Sequence, residues 1–172
     1  MKLTWFGGTA LRVYVGGQIV VVDPDAAPAA VDRGELLAGA DRVVAGEAVS
    51  SVDPVSWRAK PMPRLMEEAP AAEVARLDGA LLIAAAGEPT LVILGEAPLP
   101  RFGRWAEGAV IVLTSAPAGL VAQVTALLDV SQPRLIALAL DGQTLDQVVD
   151  ELAAHLDGTG LTSLEPGLAV EV

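Results

Sequence analysis

A single imidazole, at His155, and the complete absence of thiols limit what this chain can do chemically. Without cysteine there are no disulfides, thiol nucleophiles or Cys-ligated zinc and iron–sulfur centres. One histidine also rules out a poly-histidine site within a single chain. His155 follows Glu151 by one helical turn and precedes the apolar Leu156. This places it on a helix surface or interface, whereas a catalytic base needs partners within hydrogen-bond reach. Carboxylates are the remaining groups that can hold a cation. Asp23, Asp25, Glu47, Asp53 and Glu96 fall at strand ends or in connecting segments. Gathered in one place, they would make an all-oxygen site suited to magnesium or calcium rather than zinc. No D-x-D-x-D-G loop or other fixed spacing ties them together, so they are weak metal candidates only. No catalytic or cofactor-binding residue is assigned, and no cofactor is expected. The hydroxyls of "TSAPAG", Thr114 to Gly119, stand between a predicted strand and helix but lack the lysine and glycine pattern of a phosphate loop. Ser115 is in no G-x-S-x-G elbow, and Ser50 and Ser51 have no evident base.

These residues must be positioned by a chain of 172 residues that is 52% hydrophobic and only 3% aromatic. That length fits a single domain over residues 1–172, with a core of Val, Leu, Ile and Ala packed in layers. Apolar runs such as "IVVV" and "LLIAAA" are far shorter than the roughly 20 residues of a membrane-spanning helix, and "MKLTWFGG" has no long apolar leader. A soluble, cytoplasmic protein is expected. Its net charge of −11 repels phosphate backbones and anionic lipid surfaces, so neither nucleic acid nor membrane is an expected partner. Arg58, Lys60 and Arg64 near Trp57, and Arg101 and Arg104 beside Phe102 and Trp105, read as solvated loops.

The pattern predicts a meander over "KLTWFGG", "LRVYV" and "QIVVVD", turned at Gly16 and Gly17 and stopped by Pro24. A short helix or turn around Glu35 to Ala38 precedes a strand "RVVAG". The following stretch to Gly79 contains four prolines and reads as mostly loop with one extended edge segment. "ALLIAAAGEPTLVILGEA" reads as a second hairpin turned at Gly87 to Pro89. Two strand-helix units follow. In the first, "GAVIVLTSA" leads into a helix with Pro117 at its start and Leu120, Val121, Val124, Leu127 and Leu128 on one face. In the second, "PRLIALALDG" leads into a helix N-capped by Thr144, with Leu145, Val148, Val149, Leu152 and Leu156 on its stripe. "LTSLEPGLAVEV" closes as a short hairpin around Pro166 and Gly167. Val20, Val22, Val43, Leu82, Ile93, Ile111, Leu113, Leu135 and Leu152 are the expected core.

This order resembles the metallo-β-lactamase superfamily, in particular its small lactonase-like metal-dependent hydrolases. "TWFGGTALRVYVGGQIVVVDP" is similar to the opening of that branch, and "LTSLEPGLAVEV" to its close. The resemblance implies a truncated αββα sandwich, α/β (α+β) in class, with mixed sheets and flanking helices. It also implies where a metal would be held. The H-x-H-x-D-H position falls on Gly46 to Ser51, the Gly-His position on Gly7 and Gly8, and the last histidine near Ala139. No histidine stands at any of them. A bridging carboxylate would correspond to Glu96, and Asp23 to an orienting residue behind the ligands, although Asp23 without histidines is expected to cap the turn before Pro24.

The resemblance therefore implies a metal-free descendant. It would serve as a structural, interaction or small-molecule binding module, with a residual hydrolase using an oxygen-ligated cation as the alternative. Active relatives are commonly longer, the missing length falling between Pro54 and Ala80. A thinned covering layer exposes apolar area that self-association reburies, so a homodimer is expected.

Overall fold

A computed structural model describes residues 1–46, 49–62, 70–114 and 118–172. Strands β1 (Lys2–Gly7), β2 (Ala10–Val15) and β3 (Gln18–Val22) form the predicted meander. A 3₁₀ turn (Pro24–Ala26) and a short helix α1 (Arg33–Leu37) lead to β4 (Arg42–Val44), which lies parallel to β3. Helix α1 is one turn long because Asp32 caps its start, accepting from the amides of Gly34 and Glu35, and Gly39 follows its end. Next come β5 (Glu73–Leu77), β6 (Ala80–Ala84), β7 (Leu91–Leu94) and β8 (Val110–Leu113). The chain ends with α2 (Leu120–Val130), β9 (Leu135–Leu138), α3 (Gly142–Ala153), β10 (Gly160–Ser163) and β11 (Ala169–Glu171).

Among the described residues these strands make two mixed sheets, ordered β11-β1-β2-β3-β4 and β10-β9-β8-β7-β6-β5. In the second sheet β7 to β10 are mutually parallel, while β5 and β6 pair antiparallel through a two-residue turn and β6 and β7 through a longer one. The sheets pack face to face. Leu3, Trp5, Leu11, Val13, Val20 and Val22 meet Leu81, Ile83, Ile93, Val110 and Val112 between them. The opposite face of the second sheet, with Leu82, Leu94, Ile111 and Leu113, is covered by Leu120, Val124 and Leu127 of α2 and by Val148 and Leu152 of α3. The result is the expected α/β sandwich, with unequal outer layers. On the outer face of the first sheet, the guanidinium of Arg12 donates to the Glu35 and Leu36 carbonyls and so anchors α1 there. Beyond that helix, Tyr14 and Val43 each stand 50% exposed.

Several expectations need correction. Val43 is not in the core, because β4 is the edge of a sheet whose outer face is thinly covered. Leu135 is only partly buried. Helix α3 begins at Gly142, with the Leu145 amide donating to the Asp141 carbonyl, so Thr144 lies inside the first turn rather than capping it. Pro117 lies outside the described residues. The closing segment is not a hairpin: β10 runs parallel to β9 in one sheet, and β11 runs antiparallel to β1 in the other. The turn at Pro166 and Gly167 carries the chain across, held by the Gly167 amide donating to the Trp5 carbonyl at 2.7 Å.

Candidate functional site

The carboxyl ends of β3, β4, β7 and β8 converge at one rim of the sandwich. Parallel strands leave a crevice at such ends because the chain departs there in different directions. Here it is a cleft of about 140 Å³. Val22, Val44, Leu81 and Ile93 form its apolar walls, and Thr9, Asp23, Arg76 and Thr114 bring polar groups to it. Gly79, also at the cleft, ends the β5–β6 turn at φ +94, where a Cβ would stand 2.7 Å from that of Ala97. A side chain is therefore excluded there.

Arg76 is the residue that sequence reasoning missed. It lies in "EVARLDG", at the end of the proline-containing stretch that reads as mostly loop, and the Asp78-Gly79 pair that makes this segment a hairpin strand is the available signal. Arg76 holds both ends of the segment on which the resemblance places the histidine motif. Its backbone amide donates to Ser50 and its carbonyl accepts from Val52, each at 2.9 Å, while its guanidinium donates to the Gly46 carbonyl. Its Nε is buried and has no acceptor among the described residues.

Of the carboxylate candidates, Asp23 alone among the described residues lines this cleft. It takes a left-handed backbone (φ 43), its carbonyl accepts from Ala26, and its side chain makes no capping bond, contrary to the expected cap. Asp25 pairs with Arg33 at 2.6 Å on the surface. Glu96 is exposed and borders a separate depression beside Gly119. Asp53 caps its own turn through the Val55 and Ser56 amides. The Ser56 hydroxyl and then those amides hold its carboxyl below the usual range. Glu47 lies outside the described residues. His155 is exposed on the far side of the helical layer, beside Asp129 and Asp157.

The positions implied for histidine ligands are closed in other ways. A Cβ on Gly8 would lie 2.6 Å from the Ala26 carbonyl oxygen. Ala139 is buried between the sheets and donates its amide to Leu113. Trp57, Trp105 and Phe102 do not form an open stacking platform: Trp57 is buried, and its ring meets Trp105 edge-on at 4.9 Å. Arg64 lies outside the described residues. One carboxylate, two hydroxyls and a guanidinium do not fit zinc, which takes imidazole, thiolate or several carboxylates. Among the described residues no three His, Cys, Asp or Glu side chains are placed to hold a metal ion, and no helix is long and apolar enough to cross a membrane.

No protein-family model and no curated protein matches the sequence. The structure is similar to that of Igni18, described as a novel metallo hydrolase from the hyperthermophilic archaeon Ignicoccus hospitalis. The TM-score is 0.52 and the identity 11%, over 99% of this chain and 98% of that one. The likeness extends end to end and is one of fold.

Proposed function

We propose that this chain is a non-catalytic protein of metallo-hydrolase fold, descended from the lactonase-like metallo-β-lactamase branch and acting as an interaction or small-molecule binding module. One observation carries the proposal. At the rim where the resemblance places a metal, the chain presents Arg76, whose fixed positive charge opposes a divalent cation and whose side chain is tied to Gly46 in the segment replacing the ligand motif. Similarity to a hydrolase of nearly the same length supports common architecture, and the change of donor groups supports a change of task.

Metal content tests this. Protein purified without chelator and dialysed against metal-free buffer is expected to contain far less than one zinc, manganese or magnesium per chain by elemental analysis. Near-stoichiometric metal, retained on dialysis and lost on mutating Asp23, would overturn the proposal in favour of an oxygen-ligated hydrolase.

A further inference from the structure

Resting on that reading of a metal-free cleft, we infer that the crevice between Arg76 and the Val22, Val44, Leu81 and Ile93 walls is a binding site for a small aliphatic carboxylate. Arg76 Nε is a charged donor withdrawn from water, and it has no acceptor among the described residues although Nη2 of the same guanidinium donates to the Gly46 carbonyl. A buried donor without a partner is unfavourable, and a carboxylate is the partner whose two oxygens match a guanidinium edge. The adjoining space selects what the carboxylate is attached to. Four aliphatic side chains line it, and its volume of about 140 Å³ is close to that of cavities known to hold a molecule of benzene's size. A short alkyl chain fits these walls, and a bulky or polyanionic ligand does not. Asp23 on the same cleft disfavours a second negative charge and favours ligands with one carboxylate.

The probe is sodium propionate added to chelator-treated full-length protein, at ionic strength held constant with sodium chloride. The signal followed is the Arg76 Nε–H resonance in ¹H–¹⁵N spectra, assigned by its absence in Arg76→Lys. A saturable shift is expected, with Kd between about 0.1 and 10 mM, as suits so small a ligand. Backbone amides of Thr9 and Thr114 should shift with the same midpoint. Propionamide, equal in size and uncharged, should produce no saturable shift, and Arg76→Lys should weaken propionate binding at least about tenfold because a lysine cannot pair through two parallel bonds. The Thr9 and Thr114 amides of the wild-type protein, assigned through the backbone, report without the variant, so the test stands even if the variant folds poorly. No saturable shift up to about 100 mM propionate, or equal shifts with chloride or propionamide, would overturn the site while leaving the metal-free reading in place. Binding that appears only after adding zinc or manganese would overturn both.

Discussion

Asp53 shows how a surface carboxylate can organise its surroundings without taking part in a site. It receives the Val55 and Ser56 amides, and its carbonyl receives the amide of Trp57, whose ring packs on Trp105 and whose Nε1–H donates to Glu73. The carboxyl is held below its ordinary value, so its ionised form is favoured in the folded chain. Its contribution to stability is therefore present above the unfolded value of about 4 and is lost as pH falls through the lower folded value. Asp53→Ala should lower the thermal midpoint at pH 7, with the gap from wild type narrowing as the pH falls below the unfolded value of about 4. Melting curves at the two pH values decide this, and a gap that does not change with pH would remove the ionised cap from the account. At the same scale, Gly8 shows why a histidine cannot be placed at the position the resemblance implies by exchanging that residue alone. An imidazole there must begin with a Cβ placed against the Ala26 carbonyl.

Strand β8 is the element on which both layers of the second sheet depend. It lies between β7 and β9, with Val110 and Val112 facing the other sheet and Ile111 and Leu113 facing the helices, all fully buried. Ile111→Ala removes atoms from a site with rigid neighbours on every side and should cost about 2–5 kcal/mol in chemical denaturation. A loss below about 1 kcal/mol would show that the strand is not central. Such elements were legible from sequence because a run like "VIVL" buried on both faces has few other solutions. The α2 stripe was legible for a similar reason, with Leu120, Val124 and Leu127 buried as spaced. The partner of each strand was less legible. Nothing local in "LTSLEPGLAVEV" states that its two strands join different sheets, since pairing depends on β9 and β1, far away in the chain. The cleft was legible only through the positions at which the resemblance places histidines. Arg76 reaches it through the β5–β6 hairpin, and sequence spacing does not encode the approach of β5 to the Gly46 segment.

At the scale of the whole molecule the sandwich is lopsided. Two helices cover one outer face, while α1 alone, among the described residues, is anchored on the other, leaving Tyr14, beside Ile19, and Val43 half exposed. We propose that a second copy covers this face. Apolar burial contributes about 25 cal/mol per Å². The repulsion from a net charge of −11 is screened beyond about 8 Å at physiological ionic strength, and Lys2 and Arg12 on the same face reduce it locally. Light scattering behind size exclusion should give a dimer at micromolar concentration, and Tyr14→Lys combined with Val43→Glu should shift it toward monomer. A wild-type mass near 17.6 kDa would refute the proposal. The split destination of the last two strands has a further consequence, for the order of assembly. Strand β1 meets β2 across a tight turn but meets β11 only after nearly the whole chain has been gathered in. The entropy of closing a loop grows with each doubling of its length, by about 0.6 kcal/mol. The three-residue β11 ladder is therefore expected to form late, and without it β1 is a free edge. Such an edge has the same hydrogen-bonding complement for a β11 strand from another molecule, and because its own strand is tethered nearby, strand exchange about the Pro166–Gly167 turn is expected only at high protein concentration.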